Sequence, residues 1–322
     1  MKQVTPLDPA TYKRHLIHGE NRTWAETNCY SDVIVELVHG LGHEPIAALP
    51  FTLAIDFEGD QWTFFKFPIA DLYDLFGLEI QELNPWRSLA HHIEEQVSMG
   101  RPVLVELDSY FLPDTAGTAY KLAHVKSTVA VNKIDIAGKY LGYFHNQSYH
   151  ALEGQDFTDV FQLNGLVHDR MLPPYIEFVK LHPRKMSSSE LVEASLKLLK
   201  KHLARVPEKN PFVVFKAKFE KDLEWLLQEN TEVFHAYSFA TLRQYGACFE
   251  LSETYLRWLK DHGQTGFDKA IEAFQQISQS TKTFQFQLAR SMARKKPLDM
   301  SPLDAMAAHW TTATTELKGL YS

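Results

Sequence analysis

The sequence is poor in cysteine, with only two, Cys29 and Cys248, among 322 residues. So few cysteines argue against a disulfide-stabilised scaffold and are typical of a reducing compartment. The sequence also lacks an apolar run near the roughly 18 residues that span a bilayer. Its first residues, MKQVTP, lack the apolar core of a signal peptide. We therefore expect a cytoplasmic protein that has no membrane partner.

Basic residues are not in excess, because 33 lysines and arginines stand against 40 aspartates and glutamates, a formal net charge of −7. This balance gives no reason to expect nucleic acid as a partner. The sequence contains neither a P-loop nor a Gly-x-Gly-x-x-Gly fingerprint, so we expect no bound nucleotide. The hydrophobic fraction of 45% and the aromatic fraction of 12% are ample for a packed core.

Metal-binding spacing is also missing. Asp56, Glu58 and Asp60 do not have the spacing of a calcium loop and are more typical of a solvated acidic turn. His39 and His43 are four residues apart, but the glycines between them would disrupt the helix that aligns such ligands. We expect no metal site.

Cys29 stands where a helix is predicted to begin. A polar run precedes it, and apolar residues recur at helical spacing from Val33 onward. Asn28 is a good N-cap residue, which puts Cys29 in the first turn. There the unpaired backbone N–H groups and the helix dipole favour a nucleophilic thiolate. Cys248 lies in an apolar helical run and is expected in the core.

A nucleophilic cysteine needs a base and a group that orients the base. His124 precedes an alternating strand, and Asn146 follows a second strand after a turn at Gly138. An antiparallel hairpin brings the start of one strand beside the end of the other. We therefore expect His124 as the base and Asn146 as its orienting group. The uncertain register leaves His145 and His150 as alternatives to Asn146.

The order cysteine, histidine, asparagine resembles the papain-like fold, in which a helix bearing the cysteine packs on an antiparallel sheet. The segment VELDSYFLPD, ahead of His124, is similar to the N-terminal domain of butirosin biosynthesis protein H. Further runs resemble a bacterial family catalogued as domain of unknown function 1839. These are TNCYSD at 27–32, DFEGDQWTFFK at 56–66, LPDT at 112–115 and GYFHN at 142–146.

This resemblance implies an acyltransferase that moves an aminoacyl group from a carrier-protein thioester to a small-molecule amine through a Cys29 thioester. His124 would deprotonate Cys29 and later activate the amine. The chain would need no cofactor of its own, because phosphopantetheine would arrive on the carrier protein. A papain-like hydrolase, either a peptidase or a thioesterase, is one alternative. The other is a non-catalytic binding or scaffold protein with a degenerate site.

Papain-like proteases place a glutamine shortly before the cysteine to complete the oxyanion hole. No glutamine lies between Gln3 and Cys29. The resemblance therefore leaves Asn21, Thr23 or Asn28 as the donor beside the backbone N–H of Cys29, with Asp108 as a supporting residue of the site.

The chain is expected to be α+β, with a catalytic domain over residues 1–182 and an all-helical domain over residues 183–322. Before residue 185 the sequence is mixed, and after it every segment is typical of helix. Ser187 and Glu190 form a predicted capping box, and Asn210-Pro211 is a predicted helix start. Later helices are predicted over residues 231–260, over 267–295 and from Ser301.

Two sets of charges in the helical half are candidate binding residues. Arg243, Glu250 and Arg257 recur every seven residues on nearly one helix face. They would form either a solvated face or a contact with the substrate. An acidic carrier protein would need a basic patch to dock. The densest basic cluster consists of Arg290, Arg294, Lys295 and Lys296.

Overall fold

The structure, a computed structural model, describes residues 1–163 and 174–321. The chain divides into two units. The first, here called the α+β unit, comprises Met1–Gly19, Asn28–Pro45 and Pro68–Lys185. The second, here called the helical unit, comprises Glu20–Thr27, Ile46–Phe67 and the chain from Met186 onward. Two early stretches of sequence therefore belong to the same unit as the C-terminal helices.

The described part of the α+β unit forms one antiparallel sheet in the order β2-β7-β3-β4-β5-β6, with β1 paired to β4. The central strands are almost fully buried, which fits their valine-rich sequences. The strands are β1 (Lys2–Gln3), β2 (Leu78–Glu82), β3 (Val103–Asp108), β4 (Lys126–Asp135), β5 (Tyr140–His145), β6 (Ser148–Glu153) and β7 (Ile176–Leu181).

The predicted hairpin is confirmed as β4 and β5. Ala130 pairs with Phe144, and the register shifts between Val131 and Lys133. Such a shift marks an irregularity of the β-bulge type, in which one strand carries an extra residue. The shift changes the pairing by one residue, and His124 lies two residues before the start of β4, so the pairing of the two strands does not extend to His124.

The helix predicted at Cys29 is confirmed as α1 (Cys29–Gly40). Asn28 is its N-cap, and the Asn28 side chain accepts a hydrogen bond from the backbone N–H of Ser31 at 2.9 Å. At its other end α1 approaches β5 closely, because a Cβ atom on Gly40 would lie 2.5 Å from Cζ of Phe144. The cysteine-bearing helix therefore packs on the antiparallel sheet, as expected.

A buried hydrophobic cluster on one face of the sheet is built from alternate residues of β3 and β4, such as Val105, Val129 and Val131. Side chains of two further helices join this cluster, including Ile93 and Phe157. Because alternate residues of a strand point to opposite faces, Val129 and Ala130 face opposite sides of the sheet. The helices of this unit besides α1 are α2 (Ile69–Phe76), α3 (Leu89–Ser98) and α4 (Gln155–Val160).

The predicted helix starts of the helical unit are confirmed. Ser187 and Glu190 form the capping box of α5, and Asn210 caps α6 with Pro211 as its first residue. The long helix predicted from Thr231 is interrupted by a π-helical turn at Phe239–Arg243. The helices are α5 (Ser188–Leu203), α6 (Pro211–Leu226), α7 (Thr231–Ser238), α8 (Gln244–Asp261), α9 (Asp268–Arg294) and α10 (Ser301–Tyr321).

Thus the α+β fold class with an all-helical C-terminal region is confirmed. Among the described residues, no helix is both long and apolar enough to span a bilayer.

Candidate functional site

Cys29 is the first residue of α1 and is partly exposed, whereas Cys248 is completely buried in α8. Burial raises the pKa of the Cys248 thiol well above its ordinary value. Cys248 donates to the carbonyl of Thr52 at 3.5 Å within the helical unit. The sequence predicts an accessible Cys29 and a core Cys248, and the exposure of the two residues agrees with that prediction.

Thr128 of β4 is the residue that faces the Cys29 thiol. Sγ of Cys29 lies 4.0 Å from Oγ1 of Thr128. Sequence reasoning missed Thr128, because a threonine in a strand gives no sign of its neighbours until the register is known.

His124 pairs with Asp108, the last residue of β3. Nδ1 of His124 lies 2.6 Å from Oδ2 of Asp108, and the imidazole stacks on Tyr110 at a centroid distance of 4.3 Å. A carboxylate can only accept, so Nδ1 donates and Nε2 is left as an acceptor. The His124 side chain is 69% exposed. This oriented, accessible imidazole has the form of a general base.

The sequence predicts that Asn146 lies beside His124, but the structure does not place it there. Asn146 lies in the two-residue turn between β5 and β6, at φ 49°. His124 precedes Thr128 by four residues, about 13 Å in extended chain. Within the described residues no hydrogen bond links Cys29 to His124. The physical reason is the register, which sets Thr128 and not His124 near the start of α1, and Asp108 takes the orienting role given to Asn146.

The alternatives to Asn146 have other partners. His145 is buried and contacts Ser127 and Asp114 through its two ring nitrogens. Nε2 of His150 lies 4.0 Å from Asp114, and burial of His150 is the main reason that its pKa falls below the ordinary value. Neither histidine is hydrogen-bonded to His124.

A cavity of about 660 Å³ opens beside the His124–Asp108 pair, and both residues line it. Much of the remaining wall is apolar and includes Leu89, Leu107 and Phe161. Pockets of this size, with an apolar wall and a few polar groups, are typical of small-molecule sites. Because the His124–Asp108 pair lines this cavity, it is the best candidate for a substrate pocket.

Two of the residues predicted to complete the oxyanion hole, Asn28 and Thr23, belong to different units. The Asn28 side chain is engaged in capping α1, where it accepts rather than donates. Thr23 belongs to the helical unit, and its backbone N–H donates to Glu250 at 2.8 Å. In the first turn of α1, the backbone N–H of Ser31 donates to Asn28 Oδ1 and that of Asp32 donates to the Asn28 carbonyl. The candidate oxyanion donor is therefore the backbone N–H of Cys29 itself.

The predicted substrate charges hold the helical unit together. Glu250 is buried, accepts from the backbone N–H groups of Thr23 and Trp24, and pairs with Arg22 at 3.4 Å. Arg243 donates to the carbonyls of residues 26 and 27 and pairs with the Glu26 carboxylate. Arg257 pairs with Glu253 on its own helix. All three charges thus have partners within their own unit.

The predicted docking cluster lies at the end of α9. Arg290, Arg294, Lys295 and Lys296 are all exposed. Lys295 is the C-cap residue at φ 51°, and its ammonium donates to the carbonyl of Leu227. The two arginines are therefore the members whose charge can be changed without disturbing the cap.

A buried charge network lies on the face of α1 one and two turns after Cys29. His18 contacts Glu36 at 2.5 Å and Asp32 at 3.3 Å. Burial alone would lower the pKa of His18, but hydrogen bonds and charge from the two carboxylates raise that pKa to about 9. Within the part of the chain that the structure describes, no group of three or more side chains could hold a metal ion.

Comparison with known families matches nearly all of the chain. Residues 13–181 match the model of the DUF1839 N-terminal domain, and residues 188–319 match that of the DUF1839 C-terminal domain. No curated protein matches the chain.

Proposed function

The chain belongs to the DUF1839 family, and from its site we propose that it catalyses acyl transfer through a thioester on Cys29. The donor is an aminoacyl group on a carrier-protein thioester, and the acceptor is a small amine. One observation carries the proposal: Cys29 opens a capped helix, is partly exposed, and lies 4.0 Å from the Thr128 hydroxyl. The reaction requires the thiolate form, which the N-terminus of a helix favours and to which a hydroxyl can donate.

In the first half-reaction, Sγ attacks the acyl carbonyl carbon, the new C–S bond forms, and the carrier thiolate leaves. In the second, the amine attacks the Cys29 thioester, the C–S bond breaks, and an amide forms. His124 serves this second half by taking a proton on Nε2 from the ammonium form of the acceptor in the cavity, before the free amine reaches the Cys29 thioester, while Asp108 holds its ring. The departing Cys29 sulfur takes up the proton that the amine loses when the amide forms. The cavity beside His124 is the acceptor pocket in this scheme, and phosphopantetheine is supplied by the carrier.

Intact mass spectrometry after incubation with an aminoacylated carrier protein tests the proposal. The expected product is one aminoacyl adduct, absent in Cys29→Ala and retained in the matched Cys248→Ala. Adding an amine should discharge the adduct as an amide. If the adduct instead decays at the same rate to free amino acid with or without amine, the protein is a hydrolase. If no adduct forms on folded protein, the proposal fails.

A second candidate function, a non-catalytic acyl or partner-binding protein, is favoured by one observation. A hydroxyl, rather than an imidazole, faces the Cys29 thiol, and such a site lacks an adjacent base. This reading predicts a stable complex with the loaded carrier that forms equally well with Cys29→Ala and yields no covalent adduct.

A further inference from the structure

The hydroxyl of Ser127, the residue before Thr128 in β4, belongs to a hydrogen-bonded relay on the face of the sheet opposite Thr128. Oγ of Ser127 is 2.6 Å from Nε2 of His145, and Nδ1 of His145 is 2.5 Å from Oδ2 of Asp114. The hydroxyl of Tyr143 donates to the other Asp114 oxygen at 2.5 Å. The order serine, imidazole, carboxylate is that of an activated serine.

Charge and burial fix the direction of the relay. Burial tends to raise the pKa of Asp114, but hydrogen bonds and charge from His145, with lesser contributions from His150 and Tyr143, hold that pKa below the ordinary value. Asp114 is therefore a carboxylate and can only accept, so Nδ1 of His145 donates to it. In the tautomer that carries its single ring proton on Nδ1, Nε2 is left to accept the Ser127 proton.

The relay ends next to the cavity. Ser127 pairs with Leu107 across the sheet, and paired residues point to the same face. Leu107 lines the cavity, as do Val125 and Lys126, the two residues before Ser127. Ser127 itself retains 7% exposure, whereas His145 is 1% exposed. An acyl group held in the cavity would thus lie beside the one member of the relay that must react.

We propose that Ser127 is a second nucleophile of the α+β unit, which accepts the acyl group of an ester or thioester. Its Oγ bonds to the carbonyl carbon while His145 takes the hydroxyl proton. The bond to the alkoxide or thiolate leaving group breaks, and His145 returns the proton to that group. Asp114 is a positioning residue that holds the imidazole, and the apolar cavity wall favours an apolar acyl chain.

This site is independent of the function proposed for Cys29. Ser127 and Thr128 are consecutive residues of β4, so their side chains point to opposite faces of the sheet, and the Cys29 thiol lies against Thr128. A Cys29→Ala protein should therefore keep the full reactivity of Ser127, and the two proposals can fail separately.

Labelling with a short-chain alkyl fluorophosphonate, followed by intact mass and peptide mapping, tests the proposal. The Cys29→Ala protein should gain one phosphonyl group on Ser127, and the labelling rate should fall as the pH is lowered, because a general base must be unprotonated to take the hydroxyl proton. Ser127→Ala should abolish the adduct. The matched Ser109→Ala, which removes another buried hydroxyl of the same unit, should keep it.

His145→Gln and Asp114→Asn should each lower the labelling rate at least tenfold in protein shown to be folded by circular dichroism. The proposal is overturned if the folded wild-type chain gains no Ser127 adduct under conditions that label a known serine hydrolase. It is equally overturned if the adduct forms at the wild-type rate in folded Asp114→Asn and independently of pH, because the relay would then be structural.

Discussion

The thiol of Cys29 faces the hydroxyl of Thr128 at 4.0 Å, and the imidazole of His124 sits four residues earlier in the chain. A hydroxyl can donate to a thiolate but cannot serve as a base at neutral pH. In the proposed reaction, helix α1 therefore supplies most of the stabilisation of a Cys29 thiolate, and the His124–Asp108 pair acts on the acceptor amine.

Iodoacetamide should alkylate Cys29 at least tenfold faster than Cys248 in the native protein near neutral pH. Cys29 is partly exposed, and Cys248 is fully buried with a raised pKa. Peptide mass spectrometry of timed samples measures both rates, and the two rates should converge in denaturant. Equal rates in the folded protein would argue against Cys29 as a nucleophile.

His124→Gln should lower amide formation from the Cys29 thioester by about 10²–10⁴-fold, the usual range for a general base. Asp108→Asn should have a similar but smaller effect, and Asn146→Ala should have little, because Asp108 is the residue that holds the ring. Single-turnover assays separate thioester formation from discharge.

Thioester formation itself should hardly change in His124→Gln. Slower formation in this variant, together with an alkylation profile for Cys29 that moves toward that of an ordinary thiol, would show that His124 acts on the thiol. A larger loss in Asn146→Ala than in Asp108→Asn would contradict the assignment of the orienting residue.

Local sequence rules predicted the elements that depend on local interactions. The N-cap at Asn28, the capping box of Ser187 and Glu190, and the proline at the start of α6 are each fixed by residues within one helical turn. These predictions were accurate because no distant contact is needed to satisfy the end of a helix.

The site was harder to predict, because it depends on strand register. His124 lies two residues before the start of β4, and Cys29 meets that strand at Thr128. Asp108 is adjacent to His124 only because β3 and β4 are neighbours. The inclusion of residues 20–27 and 46–67 in the helical unit also depends on long-range packing, which has no local pattern.

The α+β unit should lose stability as pH rises from about 6.5 to about 9. The folded pKa of His18, about 9, lies above its ordinary value of 6.5, so its protonated form stabilises the fold below pH 6.5. That stabilisation, on the order of 3 kcal/mol at about 1.4 kcal/mol per pKa unit, is lost as pH passes through 9. Urea unfolding at several pH values measures it.

His18→Gln should be less stable at pH 6.5, because Asp32 and Glu36 lose their charged partner, and its stability should depend less on pH between 6.5 and 9. The matched His91→Gln, at an exposed position on α3, should keep the wild-type dependence. A wild-type dependence in His18→Gln would assign the effect to another group.

Arg290→Glu with Arg294→Glu should lower the association rate with an acidic carrier protein, if the end of α9 is the docking surface. These two arginines are preferred to Lys295, which caps α9 and bonds to the Leu227 carbonyl. Charges at the rim of an interface act mainly through the encounter rate, so the wild-type rate should also fall with added salt.

Lys209→Glu with Lys318→Glu, an equal change of charge at exposed positions, is the control. Stopped-flow measurement gives the rates, and reaction with a small thioester should be the same in all three proteins. If both double variants lose association equally, net charge and not this cluster guides the carrier, and the docking assignment is wrong.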